Sequence, residues 1–288
     1  MRVRALPTSI CRMELTAIPD IPLSSGAEIP QLGYGVWQIP DDEAEQAVTR
    51  AIEVGYRSID TAMVYGNEAG VGRAVRASDV PRDELFVTTK IWNTDQGADT
   101  TRPAFERSLG LLGLDYVDLY LIHWPAAQND RYLDTWRVME QLVEEGLVRS
   151  IGVSNFEVPH LERLLAECDV PPALNQVELH PYLHQRTLRA FHAQQEIVTE
   201  AWSPLGQAAV LDDPTLAGIA AKHGVSAAQV TLRWHLQLGI VAIPKSANPG
   251  RIAENIDLFG FELDAEDLAA IDTLDREERV GSHPDDVS

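Results

Sequence analysis

Lysine is the scarcest charged residue in this chain: Lys90, Lys222 and Lys245 stand alone among 23 basic residues, the rest being arginine. A chain this averse to lysine keeps it where arginine does not serve. An ammonium fits a tight pocket and joins a proton network, whereas a guanidinium is a rigid fork that stays charged. Cysteine is nearly absent too. Cys11 and Cys168 leave no disulfide framework and no CxxC zinc motif, so a reducing compartment, the cytoplasm, is expected. No apolar run approaches the roughly 20 residues of a membrane helix. The opening MRVRALPTSICRMEL lacks the sustained apolar stretch of a secretory signal. Residues 1–14 are expected to form a flexible extension before one domain over 15–288.

Positive charge is short overall. The net charge of −21 and pI near 4.6 repel phosphate backbones and anionic membrane surfaces, so neither nucleic acid nor membrane is an expected partner. A monomer is expected. Several catalytic signatures are also missing. No GxSxG elbow or cysteine nucleophile is present. The nearest approach to a dinucleotide glycine fingerprint, Gly70-Val71-Gly72, lacks its third glycine and lies in a helical stretch, so it reads as helix packing. His180 and His184 have a metal-like spacing, but Pro181 breaks it and no third ligand is apparent, so no metal is expected. Glu178 reads as a strand-end carboxylate hydrogen-bonded in place.

What is present is an alternation. Apolar runs at 32–36, 57–60, 86–90, 117–123, 149–153, 173–178, 197–202 and 240–244 read as buried parallel strands. Helical patterns fill the intervals at 42–54, 68–76, 99–112, 131–145, 157–167, 185–194, 214–223 and 226–238. Two more follow at 248–258 and 264–274. Many open on Asp or Asn and stop at Gly. An early pair at 17–22 and 27–30, around Ser24-Ser25-Gly26, reads as a β-hairpin that plugs a barrel floor. The α/β pattern predicts a (β/α)8 TIM barrel with an N-terminal hairpin and extra C-terminal helices.

Barrel chemistry lies at the C-terminal ends of the strands. Three adjacent strand ends there offer Asp60, Lys90 and His123, and Tyr65 follows one turn after Asp60. A free phenol has a pKa near ~10. A neighbouring ammonium lowers it, and Asp60 keeps that ammonium charged despite burial. His123 can hydrogen-bond and orient a substrate carbonyl. The set suits proton donation to a carbonyl oxygen. Trp37, Trp92 and Trp124 follow strands one, three and four and are expected to wall the pocket.

The chain resembles the aldo-keto reductase family from about Leu15 to Val287. Four motifs carry the resemblance: Gly55-Tyr56-Arg57-Ser58-Ile59-Asp60-Thr61-Ala62, Tyr65-Gly66-Asn67-Glu68, Ile122-His123-Trp124-Pro125 and Gly152-Val153-Ser154-Asn155-Phe156. The resemblance implies NADPH-dependent reduction of aldehydes or ketones, with Tyr65 as proton donor, Lys90 and Asp60 tuning it, and His123 orienting a small-molecule carbonyl substrate. It also implies that Lys245, Ser246 and Arg251 hold the adenosine phosphate, and that Glu254 and Asn255 hold adenine. A helix start bearing a serine and two cations is a natural phosphate site, and the Arg251 fork favours NADPH over NADH. Asn248 stands where many relatives carry Thr and can still cap the helix. Ser154, Asn155 and Gln176 match the positions that bind the nicotinamide carboxamide. Trp202, where many relatives have Tyr, would carry the ring, with Ser203 and Leu205 beside it. Through Trp202, the Ile91-Trp92-Asn93 loop and the tail from Glu278 to Asp285 the chain resembles the bacterial 2,5-diketo-D-gluconate reductases within the family. That tail is expected to cover the pocket. Two other readings stand beside this one: a broad aldehyde-detoxifying reductase, and a non-catalytic NADPH-binding sensor or channel subunit.

Overall fold

Residues 18–288 are described by a computed structural model; the expected extension over 1–14 and the first residue of the expected hairpin lie outside them. The chain opens on an antiparallel hairpin of β1 (Asp20–Pro22) and β2 (Glu28–Pro30). Eight parallel strands follow: β3 (Gly33–Gly35), β4 (Ser58–Asp60), β5 (Phe86–Ile91), β6 (Val117–Ile122), β7 (Val148–Ser154), β8 (Leu174–Glu178), β9 (Val198–Trp202) and β10 (Val241–Ala242). They pair in chain order. A parallel bridge from Leu32 to Ala242 joins last to first. Ala242 N donates to Gln31 O at 3.0 Å, and Gly35 N to Pro244 O at 3.1 Å. The ring closes, and closure removes the exposed sheet edge.

Helices α1 (Asp41–Val54), α2 (Glu68–Ala77), α3 (Thr101–Leu112), α4 (Tyr132–Glu144), α5 (Val158–Glu167) and α6 (Arg186–Gln194) connect successive strands. Two, α7 (Pro214–His223) and α8 (Ala227–Gln237), separate β9 from β10, and α9 (Pro249–Ile256) and α10 (Ala265–Asp272) follow it. These bounds agree with the sequence expectation to within about two residues, the scatter normal for helix ends. Among the described residues, no helix is long and apolar enough to cross a membrane.

The glycines of α2 are packing positions. A Cβ on Gly70 would strike Asp41 O of α1, and one on Gly72 would strike the Leu112 carbonyl of α3. Only glycine lets three helix backbones approach this closely.

Strand residues alternate between two cores, as period-two geometry requires. On β6, Tyr120 and Ile122 point outward into the helical layer, while Leu119 and Leu121 point into the barrel. The inward set meets Leu23 and Ile29 of the hairpin, together with Phe86, Leu174 and Val241. The hairpin thus seals the barrel floor. Further along the same inward face the residues turn polar: Asp60, Lys90, Gln176 and Glu200 are all buried. That switch from apolar floor to polar mouth positions the site.

Candidate active site

Tyr65 is placed by its neighbours rather than by regular structure. It ends a short 3-10 turn, Met63–Tyr65, directly after β4. Gly66 then takes φ 68°, a left-handed conformation that suits glycine. Asn67, fully buried, holds the turn. Its Nδ2 donates to Val36 O at 3.0 Å and Ile39 O at 2.8 Å, and its Oδ1 accepts the Thr61 hydroxyl at 2.7 Å. Glu68 accepts the Thr89 hydroxyl at 2.6 Å. The Tyr65-Gly66-Asn67-Glu68 motif is therefore one tyrosine and three residues that fix it against β4 and β5.

Lys90 is wholly buried beneath that turn. Its Nζ donates to Asp60 Oδ1 at 2.6 Å and Thr61 O at 2.9 Å, and lies 5.2 Å from the Tyr65 ring centroid. Burial pulls the ammonium down, but Asp60 and Tyr65 together carry it above its ordinary value, so it stays charged. His123 packs edge-on against Tyr65 and Trp92, with centroids at 5.6 and 5.2 Å. Burial, with help from Lys90, holds its imidazole well below the ordinary range. It is neutral, and the ring lines the cleft. The four side chains expected to act together do meet at one barrel mouth.

One expectation needs correction. Lys90 lowers the Tyr65 pKa, as anticipated, but the net direction is upward. Burial of the phenol dominates, and Asp60 and Glu200 add to it. Desolvation disfavours phenolate, so the resting group is a protonated phenol. That is the form a proton donor requires.

A cleft of about 710 Å³ opens over this set. Trp37, Trp92 and Trp124 line it, as do Ser154, Asn155, Gln176, Trp202, Ser203 and Lys245. Leu205 does not line it and packs against the outer core. Asn155 takes φ 64° at the end of β7, a strained setting that asparagine tolerates. Its Oδ1 accepts the Trp202 indole N–H at 2.8 Å, and its Nδ2 donates to His123 O at 2.9 Å and Ser154 Oγ at 3.1 Å. Trp202 is thereby held in orientation, something a tyrosine in its place would have to achieve differently. Gln176 Nε2 donates at 2.8 Å to both Asp60 Oδ2 and Glu200 Oε2.

At the start of α9, Asn248 is a true cap. Its Oδ1 accepts from Gly250 N at 2.9 Å and Arg251 N at 3.1 Å, worth ~1 kcal/mol to a helix. Lys245, Arg251 and Glu254 are exposed there, while Ser246 and Asn255 are buried.

Two features escaped the sequence reading. Glu200 is the first, a buried carboxyl pushed up to about 8 by burial and by Asp60. A charged residue inside an apolar strand was the available signal. The second is the job of Glu178. Its carboxylate is fully buried and latches the C-terminal tail. Val280 N donates to Oε1 at 2.5 Å and Gly281 N to Oε2 at 3.2 Å. Arg279 pairs with Glu157 at 2.9 Å. Val280, Gly281 and Ser282 line the cleft, so the tail covers the pocket as expected. A Cβ on Gly281 would strike the Trp202 ring. His180 and His184 are occupied elsewhere: the His180 ring meets Glu178 at 3.0 Å, and His184 Nε2 meets Pro181 O at 3.0 Å.

Comparison with known proteins fits this geometry. Residues 30–276 match the model of the Aldo/keto reductase family. The chain is 53% identical to the glyoxal reductase of Bacillus subtilis, over 94% of this chain and 99% of that protein. It is 51% identical to the methylglyoxal reductase DkgA of Yersinia pestis, over 94% of this chain and 98% of that protein. A Gox0644 mutant solved in complex with NADPH superposes with a TM-score of 0.91 at 48% identity, covering 94% of this chain and 99% of its own. The Bombyx mori aldo-keto reductase in complex with NADP gives 0.86 at 40% identity, covering 92% and 95%. With the barrel, its polar mouth and these matches all in agreement, the chain belongs to the aldo/keto reductase family.

Proposed function

We propose that this chain is an NADPH-dependent carbonyl reductase in which Tyr65 gives the proton to the carbonyl oxygen. The observation that carries the reading is the Asp60–Lys90–Tyr65 arrangement, an ion pair at 2.6 Å whose ammonium lies 5.2 Å from the phenol ring, beside a neutral His123. The residues present also fit the cofactor. Gln176 has both amide N–H groups engaged, and its oxygen is an acceptor for a carboxamide. Trp202 supplies a flat platform held by Asn155. The capped start of α9, with Lys245, Ser246 and Arg251, suits the adenosine phosphate, and Glu254 and Asn255 lie one turn further on for adenine. Reduced nicotinamide supplies the hydride when bound.

The protein's own part is position and charge. His123 donates to the carbonyl oxygen and aims it at Tyr65. The Tyr65 phenol gives up its proton as negative charge builds on that oxygen. Lys90 stabilises the phenolate left behind, and Asp60 keeps Lys90 charged. The tail held by Glu178 excludes water above.

For substrate, the relatives named as glyoxal and methylglyoxal reductases make small 2-oxoaldehydes the first class to test, ahead of diketo sugar acids. Trp37, Trp92 and Trp124 suit a compact carbonyl. The barrel, residues 15–288, acts as one domain and as a cytoplasmic monomer without a nucleic-acid partner, in keeping with its acidic surface. The deciding experiment is Tyr65→Phe, assayed for NADPH oxidation with methylglyoxal. Turnover should fall roughly 10²–10⁴-fold, with NADPH affinity retained. Undiminished turnover would end the reading.

A further inference from the structure

We propose that Glu200 is a positioning residue for the nicotinamide: with Asp60 it fixes which end of the Gln176 amide faces the cofactor. The inference rests on the functional reading above, because it needs the carboxamide to meet Gln176.

The barrel register brings the two residues together. Gln176 on β8 and Glu200 on β9 are direct partners in the ladder, and both are buried. Gln176 Nε2 reaches Asp60 Oδ2 on one side and Glu200 Oε2 on the other, each at 2.8 Å. A primary amide has two N–H donors and one carbonyl oxygen. Here both donors are spent on carboxyl oxygens. With both carboxyls ionised, rotating the amide by half a turn would aim its oxygen at those two acceptors and leave all three groups unsatisfied. Such a loss in a buried site is costly. The amide is therefore locked with Oε1 as its one uncommitted polar atom, on a side chain that lines the cleft. An acceptor fixed there selects a ligand with an N–H, which the carboxamide of nicotinamide has.

Asp60 alone would not fix this orientation as firmly. Its Oδ1 is already committed to Lys90 at 2.6 Å, and with Glu200 absent one Gln176 donor would be orphaned in the barrel. The amide could then trade that orphan for a flip. Glu200 thus does for Gln176 what Trp202 does for Asn155: it removes the second orientation.

The test uses the whole chain and two reduced cofactors: NADPH, and its 3-acetylpyridine analogue, whose methyl ketone lacks the N–H. Dissociation constants are read from quenching of tryptophan emission at about pH 9, where the Glu200 carboxyl is ionised and only accepts. Wild type should prefer NADPH roughly tenfold, the scale of one well-placed hydrogen bond. Glu200→Gln, nearly isosteric, lets the two amides pair either way round, and should lose most of that preference while binding the analogue as wild type does. Gln176→Leu, with Glu200 intact, should lose it equally, and adding Glu200→Gln to Gln176→Leu should change nothing further. Glu200→Gln weakening both cofactors equally, or neither, would overturn the inference. So would a wild type that binds both alike. A wild type that binds neither would overturn the functional reading and this inference with it.

Discussion

Lys90 is the point at which stability and chemistry separate most cleanly. Its side chain is fully buried and that of Asp60 nearly so, and they meet at 2.6 Å. Lys90→Met removes the cation but leaves Asp60 charged in the barrel, held only by Gln176 at 2.8 Å. Breaking a buried ion pair from one side costs ~3–5 kcal/mol. At about 2 °C per kcal/mol for a domain of this size, the melting temperature should fall on the order of 6–10 °C. Adding Asp60→Asn removes the stranded charge, and the new amide oxygen still accepts from Gln176. The double variant should recover most of the lost melting temperature. It should not recover turnover, because nothing then stabilises the Tyr65 phenolate; both variants should lose roughly 10²–10⁴-fold in NADPH oxidation with methylglyoxal. Calorimetry and steady-state kinetics on the three proteins suffice. A double variant as unstable as Lys90→Met, or one that reduces methylglyoxal within tenfold of wild type, would refute the reasoning.

Other expectations follow from the same geometry. Deleting 279–288 removes the segment that Glu178 anchors and should change relative kcat/KM across a carbonyl panel by more than it changes NADPH affinity; equal loss of both would count against a covering tail. Arg251→Gln should weaken NADPH by ~1.5–3 kcal/mol, the scale of a charge-assisted contact, and leave NADH unaffected, as titration with each cofactor will show. The third expectation concerns pH. Burial and Asp60 push the Glu200 carboxyl from an ordinary 4.5 up to about 8, with Gln176 and Lys90 opposing. A raised folded-state pKa means the folded chain holds the proton more tightly. Its stabilisation is complete below pH 4.5 and disappears as pH rises to about 8. Glu200→Gln carries no such proton, so its melting temperature relative to wild type should climb by about 10 °C across that window, from about 5 kcal/mol of proton linkage at about 2 °C per kcal/mol. A constant gap would remove Glu200 as a titrating group.

Much of this is legible in the residues alone. Strand and helix alternation fixed the barrel because a buried parallel strand and an amphipathic helix have different periods and different end residues. Asp60, Lys90 and His123 could be placed at one mouth because each ends an apolar run, and Tyr65 because it follows Asp60 by one turn. The Gly70 and Gly72 packing reading holds for a reason composition hints at: no other residue lets α2 approach both neighbours. What the sequence hid is register and desolvation. Glu200 is one letter in a strand until β8 and β9 are aligned and Gln176 comes opposite it. Glu178 looked like an ordinary satisfied carboxylate, because its partners are tail backbone amides 102 and 103 residues away. The direction of the Tyr65 shift needed the depth of burial, which a neighbouring lysine alone does not reveal.

The hairpin at the base has a consequence for proton traffic. Leu23 and Ile29 stopper the barrel from below with hydrocarbon, so water cannot approach Asp60 or Glu200 from that side. Once the upper opening is filled by reactants, the interior is cut off from solvent. Under the proposed mechanism, the proton consumed in one catalytic cycle would have to be aboard when the reactants arrive, and the phenol would be recharged only after product leaves.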